Sequence, residues 1–161
     1  MSIFDRFRLD GKRLFITGGS RGLGREMALA IADAGANVAL VGRDAASLEK
    51  TAQDARNLGR EAATIQADVG KLEECERACE TALEKHGPID ILINNVGGRR
   101  VNVPIQDMPL EEWQKLMDLN LTSAFLCTKI IGGAMVRRGK GGRIINNASV
   151  TGIVVGRGVG G

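Results

Sequence analysis

The sequence predicts an α/β domain of the doubly wound type, in which helices cover both faces of a parallel sheet. Short apolar runs alternate with segments of helical periodicity along the 161-residue chain. Nearly continuous apolar runs of this length are typical of strands buried on both faces of a parallel sheet. The first run also leads into a glycine-rich loop and then a helix, the order in which a nucleotide-binding sheet begins. Right-handed crossovers between such strands produce the doubly wound topology.

Five strands and five helices are predicted. The strands are expected at Arg13–Thr17, Asn37–Val41, Ala62–Ala67, Ile89–Asn94 and Arg143–Ala148. The helices are expected at 22–34, 45–58, 71–86, 110–119 and 121–137. In the second helix, apolar residues from Leu48 to Leu58 recur at three- and four-residue steps and form one stripe that can pack on the sheet. Gly35 and Gly59 each follow a helix, where a left-handed residue ends it, and Pro109 precedes an acidic first turn, which marks a helix start.

The composition is that of an ordinary soluble domain, with 43% hydrophobic and 25% charged residues. The length suits a single domain, to which residues 1–161 are all assigned. The net charge is +3, but acidic and basic residues interleave and the basic cluster at 137–143 has no aromatic neighbours, so no nucleic-acid partner is expected. We find no secretory signal and no run of about 20 apolar residues. A cytoplasmic protein without a membrane partner is therefore expected.

Three cysteines are an odd number and argue against a disulfide framework. Cys75 and Cys79 lie one turn apart on a predicted helix, a spacing that could hold a metal. No second Cys or His pair accompanies them in the sequence. We interpret these two and Cys127 as small apolar residues of the core and expect no metal site.

The segment Thr17–Gly24 is the first candidate binding motif, with the sequence Thr-Gly-Gly-Ser-Arg-Gly-Leu-Gly. Glycines at positions 18 and 22 allow backbone angles and a close approach to a ligand that a Cβ would prevent. The following helix presents free N–H groups and its positive dipole end to phosphate oxygens. We therefore expect a dinucleotide pyrophosphate to bind here. The binding residues would be Gly18, Ser20, Arg21, Gly22, Leu23 and Gly24.

The end of the second strand bears on which dinucleotide binds. An acidic residue there would hold a ribose 2′-hydroxyl, whereas a basic one suits a 2′-phosphate. Arg43 occupies this place and Arg21 lies in the glycine loop, so NADP(H) is preferred, with NAD(H) still possible. The alternative is that Arg43 is a solvated loop residue and that Asp44, the N-cap of the next helix, faces the ribose.

Two further motifs follow later strands. Asp68 and Val69 follow the third strand, where the Asp68 carboxylate could accept a hydrogen bond from the adenine amino group. The same carboxylate could instead cap the helix that begins near Lys71, and both roles could hold. The segment Asn94–Gly97 supplies amides and a close-approach backbone through Asn95, Val96 and Gly97, with a plain turn as the alternative.

These motifs together resemble the short-chain dehydrogenase/reductase family. The resemblance rests on Thr-Gly-x-x-x-Gly-x-Gly at 17–24, Asp68-Val69, Asn-Asn-Val-Gly at 94–97, Asn120 within Asp-Leu-Asn-Leu-Thr, and the segment 142–152. They follow the family's order and spacing, although Val96 stands where Ala is usual. Gluconate 5-dehydrogenases and 3-oxoacyl reductases are similar members. The resemblance implies hydride transfer between a nicotinamide and a small-molecule alcohol or carbonyl, catalysed by a homodimer or homotetramer.

The resemblance also implies catalytic roles. Ser149 matches the family's serine, which polarises the substrate oxygen, and Asn120 matches the asparagine that helps hold a proton-relay water. The family's tyrosine, which gives or takes the proton, and its lysine lie beyond the serine in a Tyr-x-x-x-Lys motif, but this sequence contains no tyrosine. We therefore expect the chain to hold the first five of the family's usual seven strands, to lack the last third, and to be inactive alone. The alternative is a non-catalytic dinucleotide-binding module.

The substrate is hardly readable from the sequence. Arg99 and Arg100 follow the second motif and could meet a carboxylate or phosphate, or lie in a solvated loop. The glycine-rich segment 152–161 is expected to form a loop near the active site.

Overall fold

A computed structural model of the chain describes residues 3–98 and 103–150. Five parallel strands form one sheet in the order β3-β2-β1-β4-β5. The strands are β1 (Arg13–Thr17), β2 (Asn37–Gly42), β3 (Ala62–Gln66), β4 (Ile91–Asn94) and β5 (Arg143–Asn146). The chain moves outward from β1 in one direction through β2 and β3, and in the other through β4 and β5. The doubly wound fold class is thus confirmed, and its carboxyl edge has a crevice where the strand order reverses.

Helices cover both faces of the sheet. They are α1 (Gly22–Asp33), α2 (Ala45–Asn57), α3 (Leu72–His86) and α4 (Leu110–Arg138), with short 3₁₀ turns at Ile3–Phe7 and Ile105–Asp107. Side chains alternate along a strand, so Leu14 and Ile16 face α1 and α2, while Phe15 belongs to the core beneath α3 and α4. The side chains of Leu14, Phe15 and Ile16 are all fully buried. Two predictions fall outside the described residues: the anion contact of Arg99 and Arg100, and the loop at 152–161.

The prediction of separate helices at 110–119 and 121–137 is wrong. The chain forms one helix across this stretch, Leu110–Arg138, with two π-helical turns at Asp118–Thr122 and Thr128–Gly132. A π-helical turn accommodates an extra residue without ending the helix. Asn120 lies in the first of these turns, where its Nδ2 donates to the carbonyl of Leu116 at 2.8 Å. The side chain therefore bonds back along the helix instead of breaking it.

The same helix is also apolar on average over much of its length. Within the described residues, Leu110–Arg138 is the one helix long and apolar enough to cross a membrane, with a mean hydropathy of 1.4 over an 18-residue window. Length and composition alone are weak evidence, because a core helix of a soluble protein passes the same test. Here Leu119, Leu126 and Ile131 are buried under the sheet.

β1 has the predicted bounds, and the other four strands differ from prediction by one or two residues at one end. The ladder between β4 and β5 starts at Ile91 and Arg143 and ends at Asn94 and Asn146. Ile89 lies outside this ladder but is still 98% buried. Apolar content reports burial, whereas strand bounds depend on the hydrogen-bonded partner.

The three cysteines are buried, as predicted, but they also meet each other. Cys75 and Cys79 of α3 each place their sulfur 3.6 Å from that of Cys127 on α4. Thiol hydrogen bonds within this group lower the pKa of Cys75 and, together with burial, raise the pKa of Cys79 and Cys127. Sequence spacing could not show that Cys127 completes the group, because 48 residues separate it from Cys79.

Candidate active site

A cleft of about 840 Å³ opens at the carboxyl edge of the sheet, at the reversal of strand order. Loops after β1, β2, β3 and β4 form its walls. Nine of the twelve predicted cofactor-binding residues line it: Gly18, Ser20, Arg21, Arg43, Asp68, Val69, Asn95, Val96 and Gly97. The other three, Gly22, Leu23 and Gly24, belong to the first turn of α1 and lie outside this lining.

The glycine loop is held between β2 and β4. Gly18 has a φ of 74°, and its backbone N–H donates to the carbonyl of Val41 at 2.7 Å. A Cβ at position 18 would lie 2.9 Å from Nδ2 of Asn95. Position 24 is tighter still, because a Cβ there would overlap the carbonyl oxygen of Gly18. Gly24 therefore lets the start of α1 pack directly on the loop.

The start of α1 has features that favour an anion. The residue before the helix, Arg21, is extended and makes no side-chain capping hydrogen bond. The first turn carries no acidic residue. The helix therefore directs its amino-terminal dipole toward the loop without a carboxylate or hydroxyl cap.

The side chain of Thr17 joins two loops of the candidate site, a contact that the sequence analysis did not predict. It is 97% buried, and its Oγ1 accepts hydrogen bonds from the backbone N–H groups of Asn95 (3.0 Å) and Val96 (3.1 Å). The Asn95 side chain donates in return to the Thr17 carbonyl at 3.0 Å. These bonds hold the loop after β4 against the loop after β1. The signal available in the sequence was a hydroxyl at the last position of an otherwise apolar strand.

The end of β2 places an arginine beside the cleft. The side chain of Arg43 is 63% exposed, and its Nη1 lies 4.0 Å from Oδ2 of Asp68. Asp44 is the N-cap of α2, and its Oδ1 accepts from the backbone N–H of Ser47 at 3.0 Å. This bond lowers the pKa of Asp44. Both residues line the cleft, and the capping role anticipated for Asp44 is confirmed.

Asp68 does not cap α3, so that part of the prediction is wrong. The N-cap is Lys71, and Oδ1 of Asp68 instead accepts from the N–H of Gly70 at 3.0 Å. The Asp68 N–H donates to Oε2 of Glu74 at 2.8 Å, which lowers the pKa of that glutamate. Glu74 was not singled out from the sequence, since its part in the turn is visible only once the chain is folded.

A second cleft, of about 700 Å³, adjoins the first. The loop of residues 95–98 lines both. Asn120 from α4 and Ser149, beyond β5, are exposed and line the second cleft. The structure therefore brings the two predicted catalytic residues to one cavity next to the predicted dinucleotide cleft.

Asn120 fastens the loop between the clefts. Its Oδ1 accepts from the N–H of Gly98 at 2.8 Å, and its Nδ2 donates to the Gly98 carbonyl at 3.0 Å. These two hydrogen bonds hold the loop of residues 95–98 at a fixed distance from α4. A Cβ at Gly97 would lie 3.1 Å from the same Oδ1, so the small residue permits the contact.

Four amides link β4 to β5 beneath the second cleft. Nδ2 of Asn94 donates to Oδ1 of Asn146 at 2.8 Å, and Nδ2 of Asn147 donates to Oδ1 of Asn95 at 3.0 Å. Asn94 also donates to Oγ1 of Thr128 on α4 at 3.2 Å. The paired asparagines of both strands thus join the sheet, α4 and the floor of the cleft.

Comparison with known proteins assigns the chain to a protein family. The sequence matches the family described as short chain dehydrogenase over residues 12–160. A 3-oxoacyl-[acyl-carrier-protein] reductase from Synechocystis is 39% identical over 140 residues, which are 86% of this chain and 56% of the relative. A galactitol 2-dehydrogenase from Rhizobium johnstonii is 36% identical over 98% of this chain and 60% of the relative. The chain thus spans a little over half the length of these relatives.

Solved structures agree. A short-chain type dehydrogenase/reductase from Mycobacterium marinum has a TM-score of 0.89 and 39% identity, covering 98% of this chain and 63% of that one. A 7α-hydroxysteroid dehydrogenase in complex with NADH and 7-oxo glycochenodeoxycholic acid has a TM-score of 0.89 and 31% identity, covering 97% and 60%. A structure from Beutenbergia cavernae, described as a putative NAD(P)-dependent gluconate 5-dehydrogenase with NADP bound at low occupancy, has a TM-score of 0.85 and 31% identity, covering 95% and 60%. On sequence and fold together, the chain belongs to the short-chain dehydrogenase/reductase family.

Proposed function

We propose that this chain is the NADP(H)-binding part of an oxidoreductase that interconverts a small-molecule alcohol and a carbonyl. The observation that carries this proposal is the glycine-lined cleft at the strand-order reversal, with Arg21 and Arg43 at its rim. Pyrophosphate would lie at the start of α1, where N–H groups and the helix dipole favour an anion. Arg43 would meet the 2′-phosphate, because a guanidinium pairs well with phosphate oxygens.

The residues present fit a dinucleotide. Glycine at position 18 leaves room that a Cβ would take from Asn95, and the uncapped start of α1 faces the loop. Asp68, held by its turn with Gly70 and Glu74, would accept from the adenine amino group. The bound dinucleotide would extend along the loop of residues 95–98, which lines both clefts, from the first cleft into the second.

The second cleft would hold the substrate. A bound nicotinamide supplies or accepts the hydride in this chemistry. The Ser149 hydroxyl is proposed to donate a hydrogen bond to the substrate oxygen and so polarise the carbonyl. Asn120, through its two hydrogen bonds with Gly98, would hold the loop between the clefts in the position that the ligand contacts.

Binding measurements with a charge-reversed variant test the cofactor preference. We expect wild-type protein to bind NADPH more tightly than NADH, and Arg43→Asp to bind NADPH at least about tenfold more weakly, because a charged hydrogen bond is worth roughly 1.5–3 kcal/mol. NADH binding should be unchanged or improved. Titration calorimetry of both dinucleotides gives the affinities.

Arg137→Asp is the matched control, since it makes the same charge change at an exposed α4 residue outside both clefts. It should leave the NADPH affinity as it is. Equal NADPH losses in both variants, or no loss in Arg43→Asp, would overturn the preference for NADP(H).

A second candidate function is dinucleotide binding without turnover. It is favoured by the composition, since these 161 residues include no tyrosine to act as the proton donor that the family resemblance implies. Loss of general acid–base assistance typically costs a factor of about 10²–10⁴ in rate. Single-turnover absorbance of bound NADPH with small carbonyl compounds separates the two candidates. NADPH binding with no measurable oxidation supports the module, whereas oxidation that requires Ser149 supports the enzyme.

A further inference from the structure

Three cysteine sulfurs gather in the core beneath the sheet, away from both clefts. Cys75 and Cys79 lie one turn apart on α3, and Cys127 faces them from α4. All three sulfurs lie within 4.8 Å of one another, with two of the separations at 3.6 Å. An ion bonded to three sulfurs at about 2.3 Å, the length of a Zn–S bond, requires sulfurs roughly 3.5–4 Å apart. The two separations that involve Cys127 therefore already suit one shared thiophilic ion, and the third needs at most a small adjustment.

We propose that Cys75, Cys79 and Cys127 form a binding site for a trivalent thiophilic metalloid, of which arsenic(III) is the chemical type. The proposal concerns a site in the core and does not depend on the dinucleotide function.

The burial of the triad favours a trivalent ion over the commoner thiolate-bound metals. The three cysteines are at most 1% exposed. Among the described residues, the buried polar side chains are those of Thr17, Thr51, Asn94 and Ser123, and none is charged. A charged complex would therefore pay a large desolvation penalty. Three thiolates with copper(I) carry a charge of −2 and with zinc −1, whereas three thiolates with arsenic(III) are neutral.

The number of ligands points the same way. Structural zinc almost always takes four protein ligands in a tetrahedron. The backbone carbonyl of Ser123 lies 3.7 Å from the sulfur of Cys75 and accepts a thiol hydrogen bond. Arsenic(III) needs three sulfur ligands, because its lone pair occupies the fourth position. Three cysteines on two facing helices are then a complete set.

The binding step needs no oxidant and no reductant. Arsenous acid exchanges its three hydroxyls for three thiols, As(OH)₃ + 3 RSH → As(SR)₃ + 3 H₂O, so three As–S bonds form, three As–O bonds break and each thiol proton leaves in water. Arsenic stays trivalent throughout. The entering molecule is neutral and small, and it would reach the buried sulfurs through local opening between α3 and α4. Once formed, the As–S bonds would join the two helices.

The test uses the full chain with sodium arsenite as the probe. Native mass spectrometry should show a gain of one arsenic atom less three hydrogens, and thiol titration after rapid denaturation should find all three cysteines protected. Bound protein should also melt at a higher temperature, because the ion crosslinks α3 to α4 in the folded state. Loss of only one or two thiols, or no mass gain after incubation long enough for local opening, would contradict the proposal.

Cys127→Ala is the informative variant, because it removes the α4 ligand and leaves the α3 pair. Its arsenite affinity should fall by at least tenfold, and arsenite should no longer raise its melting temperature. A circular dichroism spectrum like that of wild type verifies that the variant folds, and the wild-type thiol count stands as evidence if it does not. Zinc chloride is the competing probe. Stoichiometric zinc uptake that arsenite cannot displace would assign the triad to a divalent metal instead and overturn the trivalent assignment.

Discussion

Single side chains hold the candidate site together by bridging loops that are distant in sequence. Thr17 does so with one buried hydroxyl that accepts two backbone N–H groups from the β4 loop. Glu74 does so from α3 by accepting the N–H of Asp68. Neither residue needs to touch a ligand for its loss to disturb the cleft. The contribution of each side chain can be measured with a substitution that keeps its shape and removes only its hydroxyl or its charge.

Thr17→Val keeps the shape of the side chain and removes the acceptor. Two partly buried N–H groups then lose their partner, and a fully buried donor left unsatisfied costs roughly 1–3 kcal/mol. We expect the free energy of unfolding to fall by at least about 2 kcal/mol in urea denaturation. Thr17→Ser, which keeps the hydroxyl and removes one methyl, should lose only about 1 kcal/mol. Equal losses in the two variants would show that the hydroxyl does not hold the loops.

Glu74→Gln should change how stability depends on pH. The hydrogen bond from Asp68 and the Lys71 side chain lower the pKa of Glu74 in the folded state. The resulting stabilisation is present above the unfolded pKa and is lost as the pH falls through the lowered folded value. Wild-type protein should therefore lose stability more steeply than Glu74→Gln between about pH 5 and pH 3. Urea unfolding across this range measures the slopes.

The control for this measurement is Glu76→Gln, which removes the same charge from an exposed position of α3. Its stability should follow the wild-type pH profile. A Glu74→Gln profile that matches wild type would mean that the contact with Asp68 contributes nothing in solution.

At the scale of elements, α1 and α4 position the two clefts, because α1 packs on the glycine loop and α4 carries Asn120. The first turn of α1 packs so closely on the glycine loop that position 24 has no space for a Cβ. The long α4 stays continuous through Asn120 because π-helical turns absorb the extra residues there. The sequence predicted two helices that meet here, 110–119 and 121–137, and asparagine has low helix propensity. Packing against the sheet overrides that local preference.

Two helical glycines give a matched test of this packing. Gly24→Ala should destabilise the protein by about 1–3 kcal/mol and weaken dinucleotide binding, because the new methyl displaces Gly18 from its place on the loop. Gly133→Ala should instead stabilise it by up to about 1 kcal/mol, since the new Cβ meets only the flexible end of Arg137 and alanine favours helix. Chemical denaturation of both variants gives the two signs. A neutral Gly24→Ala would show that α1 can move away from the loop.

At the scale of the whole molecule, the cleft lies where four separate strands end. Its lining comes from the loops after β1, β2, β3 and β4, so a ligand that spans it links both halves of the sheet. Such a ligand binds the folded chain and not the unfolded one. Its affinity therefore adds directly to the free energy of unfolding.

Dinucleotide should raise the melting temperature of the whole chain. At a hundredfold excess over its Kd a ligand adds about 2.7 kcal/mol, which corresponds to roughly 5–11 °C for a chain of this size. Differential scanning fluorimetry with NADPH, NADH and AMP measures the shifts. AMP fills only the adenosine end and should give the smallest shift. Equal shifts with AMP and NADPH would mean that the ligand does not span the glycine loop and the second cleft.

The sequence by itself determined the fold class, the five strands and the positions of most cleft-lining residues. It could do so because strand burial, glycine spacing and the placement of polar residues after strands are local patterns that follow from backbone geometry. Only the tertiary structure showed that Thr17 fastens two loops, that Asn120 contacts Gly98 inside a continuous helix, and that Cys127 completes a triad with Cys75 and Cys79. These contacts join residues far apart along the chain. Their distances are set by how helices and strands pack together, which no local pattern encodes.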